Sequence, residues 1–299
     1  MTVSSRKKGL ALIFCLCLCR LFSFAQEYGL VLAGGGGKGA YQVGVWKALN
    51  DYGIAGKVTA ISGTSVGGLN AALFCSCSVA ETEYIWLNWV PGTLTKDNAI
   101  ISQSGLEMII EQAPLFRLQQ KQYPQVMVTA VRSRWLLLKN LMGSPGSYAH
   151  RFVLNDEEDL TEIGRELLAT SAFPILCKPV KLKDGYDYID GGGDTYGGDN
   201  IPIPCIVNNY PLIDHIIIVY LEDAQNLSRR IRQIDYESKE LIEIIPSIDL
   251  GNLWEGTTNF TASRIALLIK RGYEDAEQVL KTKGFSKVSS YWFTDELSD

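Results

Sequence analysis

The stretch Val58-Thr59-Ala60-Ile61-Ser62-Gly63-Thr64-Ser65-Val66-Gly67-Gly68-Leu69 holds the end of one element, a tight turn and the start of another. Val58 to Ser62 has the length and apolar content of a buried strand, and Leu69 to Phe74 reads as an apolar helix. Between them lies Gly63-Thr64-Ser65-Val66-Gly67, a Gly-x-Ser-x-Gly pattern. Alone the pattern is common. Set between a strand and a helix it describes a nucleophile elbow, where glycines two residues either side keep side chains out of a sharp fold-back. Ser65 would then present its hydroxyl at the edge of a sheet, at the N-terminus of a helix beginning near Gly68.

Two further motifs fall at strand ends. Leu30-Val31-Leu32-Ala33 reads as a parallel strand buried on both faces. It runs into Gly34-Gly35-Gly36-Gly37-Lys38-Gly39 and then a helix over Ala40 to Asp51, with Val45, Trp46 and Leu49 on one side and Gly53 as its stop. Unpaired N–H groups and the helix dipole suit such a turn to a phosphate or an oxyanion. Gly34, Gly36 and Gly39 spell Gly-x-Gly-x-x-Gly, but the second strand ends in Ser62-Gly63-Thr64-Ser65, without the acid that a dinucleotide fold places there. A P-loop fails too, because Leu32 stands where its first glycine is due and Gly39 where Ser or Thr follows the lysine. The third motif, Asp190-Gly191-Gly192, follows the run Tyr186 to Ile189, so Asp190 would end a buried strand. A serine hydroxyl is a poor nucleophile without a base, and a carboxylate placed there can serve as one.

Further strands are expected over Val126 to Val131, Trp135 to Leu138, Arg151 to Leu154 and Ile216 to Tyr220, and further helices over Leu160 to Leu168 and Ser263 to Leu280. Strands alternating with helices imply an α/β fold with a mainly parallel central sheet covered on both faces. Ligands in such folds sit beyond the carboxyl ends of the strands, where both glycine-rich turns fall. No composition break divides residues 26–299, so one domain is expected.

A glycine-rich strand–helix turn, then Gly-x-Ser-x-Gly, then Asp-Gly-Gly, in that order, resembles the patatin-like phospholipase family. Ala169-Thr170-Ser171-Ala172-Phe173-Pro174-Ile175 is similar to the segment preceding that family's aspartate motif, and Asn200-Ile201-Pro202-Ile203 follows at a familiar distance. Ile244-Ile245-Pro246-Ser247 and Gly272-Tyr273-Glu274-Asp275-Ala276 are similar to C-terminal stretches of bacterial members. The resemblance covers about residues 28–280. It implies a three-layer α/β/α patatin-like fold and a serine–aspartate dyad of Ser65 and Asp190. It also implies an oxyanion hole from the N–H groups of Gly34, Gly35, Gly36 and Gly37, supported by Gly39, Gly63, Gly67, Gly191 and Gly192. Lys38 fills the family's basic position, and Gly193 is an extra glycine after the aspartate motif. The substrate implied is a phospholipid or another acyl ester met at a membrane surface, with no cofactor and no metal.

Composition narrows the remaining classes. At 46% hydrophobic and 20% charged over 299 residues, the chain has globular composition and is long enough for one large α/β domain. Arg6-Lys7-Lys8, the apolar stretch Gly9 to Cys19 and Ser23-Phe24-Ala25 have the three parts of an export signal cleaved near Ala25. An uncleaved anchor and a lipoprotein at Leu16-Cys17-Leu18-Cys19 are the alternatives. Removing residues 1–25 takes four cations and no acid, moving the formal charge from −5 to −9, which disfavours nucleic acid as a partner. The expected location is outside the cytoplasm. Cleavage would leave Cys75, Cys77, Cys177 and Cys205, whose three possible pairings the sequence does not rank. Their other reading is as small buried hydrophobes. With two histidines and no Cys-x-x-Cys or His-Glu-x-x-His, a zinc site is not expected.

An α/β-hydrolase triad of Ser65, Asp190 and His215 has the right chain order, although His215 directly precedes a strand rather than following the last one. His150 is read as structural. A non-catalytic exported lipid-binding protein is the third reading. Trp86-Leu87-Asn88-Trp89-Val90 is either core packing or a mobile cover near the elbow's helix, with core packing preferred.

Overall fold

The computed structural model describes residues 26–95, 100–120, 124–133, 149–193, 197–225, 227 and 238–288. The expected strand over Trp135 to Leu138 and the export signal lie outside them. Five apolar strands run parallel side by side: β3 (Gln125–Arg132), β2 (Val58–Thr64), β1 (Tyr28–Leu32), β7 (His215–Val219) and β8 (Glu240–Ile244). Every residue of β1 is buried, as a central parallel strand requires. Antiparallel strands β4 (Ala149–Val153) and β6 (Asp187–Asp190) join β3, and β5 (Val180–Lys181) joins β6. The hydrogen-bonded path is β5-β6-β3-β2-β1-β7-β8, with β4 also on β3.

Alternation along the strands assigns the helices to two faces. Leu32 of β1 is in register with Gly63, and Gly63 with Val128. A side chain on Gly63 would meet the backbone of Gly67, and one on Gly68 would meet Val128, so this face carries α2 (Val66–Ser76). Gly29 and Val31 point the other way. A side chain on Gly29 would strike Ile206, and Ser62, in register with Val31, donates its hydroxyl to Pro202 O at 2.9 Å. Pro202 and Ile206 belong to the start of α7 (Ile203–Asn209), which covers that face. The α/β/α layering follows.

The remaining helices are α1 (Ala40–Asp51), α3 (Val79–Tyr84), α4 (Val90–Thr93), α5 (Gln103–Gln112), α6 (Leu160–Thr170) and α8 (Ala262–Thr282). Ile265, Leu268, Ile269, Gly272, Ala276 and Leu280 make one buried stripe on α8. It lies on α1 at van der Waals contact of the two backbones: a side chain on Gly44 would meet Ile269 O, and one on Gly272 would meet Tyr41 O. Within the described residues, the elements expected from periodicity are present with boundaries shifted by a few residues. The short β5, β8 and the helices α3, α4, α5 and α7 were not expected. Ile85–Trp89 forms a π turn between α3 and α4, with Ile85 and Trp86 buried, so this segment packs as core. Cys75, Cys77, Cys177 and Cys205 are free thiols, with Cys75 and Cys205 buried.

Glu166 is buried on α6. Burial, and then the charges of Glu157 and Glu162, push its carboxyl up to about 8 against the pull of Lys183. A folded-state value above the unfolded one means stability that is full in acid and lost as pH rises through about 8. Glu166→Gln is expected to remove that loss, raising the unfolding free energy by roughly 2–4 kcal/mol above pH 8 and little near pH 4. Denaturant unfolding across pH reads this directly.

Candidate active site

β2 ends at Thr64 and α2 begins at Val66, so Ser65 alone makes the reversal, at φ 55° and ψ −127°. Only Ser65 and Ile175 have positive φ among the described residues other than glycine. Such a conformation costs on the order of 1–3 kcal/mol and persists only where neighbours hold it. The Ser65 N–H donates to Thr170 Oγ1 at 2.9 Å, and that hydroxyl donates to Thr129 O at 2.6 Å. Thr64 Oγ1 donates to Asp199 O at 2.7 Å. Room for the fold-back comes from the flanking glycines: a side chain on Gly63 would meet Gly67, and one on Gly67 would meet Leu32 O.

Asp190 reaches the elbow through sheet register. β4 pairs with residues 127–131 of β3, β2 with 125–129, and β6 with 130–132. Because β4 overlaps both of the others, β2 and β6 must share the opposite edge of β3. The antiparallel β6 therefore continues along β3 where parallel β2 stops, and its last residue, Asp190, pairs with Ala130 one step beyond the Thr64–Thr129 pair. Asp190 is 3% exposed. Gly192 N–H donates to its Oδ1 at 2.7 Å, and the Ser65 hydroxyl lies within hydrogen-bonding reach. Burial pushes Asp190 up to about 6, against those two hydrogen bonds.

The glycine-rich turn packs on the same point. A side chain on Gly34 would meet Asn200 and the Cβ of Ser65. Asn200 joins this turn to the aspartate loop: its carbonyl accepts the Gly34 N–H at 3.1 Å, its side chain donates to Gly34 O at 3.4 Å, and it lies against Gly192. The Gly34 amide is thus engaged. The ladder of the 3₁₀ turn Gly36–Gly39 starts with Lys38 N–H to Gly35 O at 3.2 Å, which leaves the preceding N–H groups of Gly35, Gly36 and Gly37 outside it. Beneath the turn a buried network fixes its shape. Gln42 donates to Ala33 O at 2.7 Å, Asn70 to Gly39 O at 3.0 Å and to Gln42 at 2.9 Å, and Trp86 to Asn70 at 2.9 Å.

From this point a cavity of about 670 Å³ opens, with Gly35, Gly36, Ser65 and Asp190 at its polar end. Leu69 and Leu73 of α2 line it, so it extends along the helix for two turns, about 12 Å at 1.5 Å per residue. Trp86, Ile110 and Leu115 are among its other walls, and the lining is predominantly apolar. Lys38 and Glu222 flank the polar end. Burial lowers the Lys38 amine's pKa, with Glu222 and Asp249 acting in the opposite direction.

His215 is elsewhere. It pairs with Tyr28, the first residue of β1, at the amino ends of the parallel strands, with Nδ1 3.0 Å from Glu240. Ser65 and Asp190 lie at the carboxyl ends, so the triad arrangement is not formed. His150, on β4, packs edge-on to Tyr188 at 5.6 Å between ring centroids. Thr170 and Asn200 stand in segments that the sequence singles out, yet their positioning roles become visible only when the loops are assembled. Among the described residues no group of His, Cys, Asp and Glu is arranged to hold a metal ion.

The family model for patatin-like phospholipases matches residues 30–214, more than half of the chain. Over 49 residues the chain is 54% identical to lysophospholipase nte1 of Aspergillus terreus, a stretch that is 16% of this chain and 3% of that protein. The crystal structure of VipD from Legionella pneumophila superposes with a TM-score of 0.54 at 15% identity, covering 86% of this chain and 67% of that one, a likeness of fold. Human GIVD cytosolic phospholipase A2 gives a TM-score of 0.46 at 11% identity over 86% of this chain and 60% of its own.

Thr170→Val keeps the shape of the side chain and removes the hydroxyl that bridges Ser65 N–H and Thr129 O. It is expected to cost about 1–3 kcal/mol of stability, the penalty of leaving buried groups unpaired. Thermal unfolding measures this, and Thr170→Ser, which retains the hydroxyl, should recover most of the loss.

Proposed function

The chain belongs to the patatin-like phospholipase family, and from that premise we propose that it is a serine hydrolase of phospholipid or lysophospholipid acyl esters. Ser65 is the nucleophile and Asp190 the general base. The observation that carries this reading is the buried Asp190 carboxyl beside the Ser65 hydroxyl at the head of an apolar cavity, where neither histidine of the chain lines the wall. Ser65 Oγ attacks the ester carbonyl while its proton passes to Asp190. The carbonyl oxygen, now an oxyanion, is met by the N–H groups of Gly35 and Gly36, which the turn orients before the reaction begins. Gly37, the fourth glycine named from the sequence, does not line the cavity. Asp190 returns the proton to the departing alcohol. Water then gives a proton to Asp190 and attacks the acyl-enzyme, releasing the fatty acid and restoring Ser65. A carboxyl near 6 suits both halves of this cycle, since it must take and return a proton close to neutral pH. The apolar cavity holds the acyl chain.

We further propose that residues 1–25 direct export and are cleaved near Ala25, leaving 26–299 as the enzyme. Sequencing the N-terminus of the exported protein tests this, with Gln26 expected first and Met1 contradicting cleavage.

Ser65→Ala is expected to abolish fatty-acid release and fluorophosphonate labelling, with kcat falling by at least about 10³. His215→Ala should leave kcat within a factor of about 2, whereas a triad histidine would cost orders of magnitude. The kcat/KM profile should rise tenfold per pH unit in acid and level above about pH 6, as Asp190 ionises. Asp190→Asn should combine two effects of opposite sign. Activity is lost, while stability above pH 6 rises by roughly 1–3 kcal/mol, because the folded carboxyl's raised value makes its ionisation costly there. Loss of activity in His215→Ala with the fold intact by circular dichroism would overturn the dyad.

A further inference from the structure

Ile175 has φ +76° and a side chain at 102% relative exposure. Positive φ in a β-branched residue is an outlier that glycine would relieve. Here the surrounding chain imposes it. Cys177 N–H donates to Phe173 O at 2.9 Å, closing the turn, and the Gln103 side chain clamps Lys178, donating to its carbonyl and accepting its N–H, both at 3.0 Å. The turn is fixed, and it holds a bare isoleucine in solvent. Among the described residues no contact accounts for that side chain.

Across the same opening, the π turn Leu253–Thr257 carries Leu253 at 38% and Trp254 at 63% exposure. Asn252 Oδ1 caps this turn by accepting the N–H groups of Trp254 and Glu255 at 2.9 and 3.1 Å, and Thr257 packs on Gly36. Ile175 and Leu253 both border the cavity that ends at Ser65. The exposed apolar rim and the apolar interior are therefore one continuous surface.

We infer that Ile175, Leu253 and Trp254 form a docking surface for a phospholipid bilayer, through which an acyl chain passes into the cavity without crossing water. The inference rests on the acyl-hydrolase reading for its direction, and its own test does not need hydrolysis. Two observations select a bilayer over a protein partner: the continuity of Ile175 and Leu253 with the cavity, and an exposed Trp adjoining Leu253 on the same turn, the side chain best suited to a boundary between hydrocarbon and water. Glu255 adjoins Trp254 and Lys178 adjoins the Ile175 turn, while the whole chain carries a formal charge of −5. Attraction is then apolar rather than electrostatic, and zwitterionic lipid suffices.

The test sediments the full chain bearing Ser65→Ala with phosphatidylcholine vesicles, alone and combined with Ile175→Gly or Trp254→Glu. Each combination is expected to bind at least about tenfold more weakly, and binding of the parent should change little between low and high salt. Ile175→Gly should at the same time raise Tm by about 2–4 °C by releasing the backbone, so lost binding cannot be charged to misfolding. In the chain with Ser65 intact, Trp254→Glu should lose vesicle hydrolysis and keep hydrolysis of monomeric p-nitrophenyl butyrate. Parent-like vesicle binding by both variants overturns the proposal, as does binding abolished by salt. An Ile175- and Trp254-dependent dimer that ignores vesicles also overturns it, assigning the face to a second copy. Failure of Ser65-intact protein on every ester would instead sink the hydrolase reading and leave the vesicle result standing.

Discussion

The one-residue reversal at Ser65 is the constraint on which the rest of the site depends. A longer turn would relax the backbone but would swing the hydroxyl away from the sheet edge. The strand, the helix and the left-handed φ therefore come together, and the protein holds them with a side-chain hydroxyl. Thr170, at the end of α6, accepts the Ser65 N–H and donates to β3. The same stretch secures the base: Gly191 N–H donates to Thr170 O at 3.3 Å and Asp190 N–H to Ala172 O at 3.0 Å. Ser65 and Asp190 are thus referenced to one helix end, and their separation does not depend on two loops agreeing by chance.

Sheet topology accomplishes what residue chemistry alone could not. An all-parallel sheet ends in a row of loops, and a carboxylate on such a loop would be solvated and acidic. Splicing β6 antiparallel onto the edge of β3 that β2 vacates puts Asp190 inside the sheet's plane, directly past the elbow. Burial there raises its pKa towards neutrality, and the same burial makes the ionised form expensive for the fold. Glu166 is raised still further, to about 8, but neighbouring carboxylates contribute to that shift and it does not line the cavity. A raised carboxyl is therefore no mark of a site by itself. The Ser65 contact and the cavity distinguish Asp190.

Much of this was legible in the sequence because the informative features are local. The elbow needs glycines at fixed offsets from the serine, the parallel strands are continuous apolar runs, and α8 carries an unbroken stripe. The site residues named from motifs converge on one point. What stayed hidden is long-range. Thr170 and Asn200 act through hydrogen bonds to residues 105 and 166 positions away, and nothing in a serial reading marks a threonine at a helix end as a backbone acceptor. The glycine run gave four candidate oxyanion donors, but pairing of the Gly34 amide with Asn200 removes one from service. β8 was missed because Glu240 and Glu243 interrupt its apolar pattern, an edge strand's usual composition.

The positions of the histidines bear directly on the proposed dyad. In a triad, an imidazole carries the proton and a carboxylate orients it, so the carboxylate may stay strongly acidic. Here His215 is at the opposite ends of the strands, where Glu240 holds it. In the proposed dyad the carboxylate would have to carry the proton itself, which an exposed aspartate near 4 does poorly at neutral pH. Enclosure of Asp190 by β3, the glycine loop and Asn200 supplies the missing basicity, and the Ser65 and Gly192 hydrogen bonds keep it from rising so far that it stays protonated. Base strength is thus set by packing, and any change that lets water reach Asp190 should weaken the base before it disturbs the nucleophile.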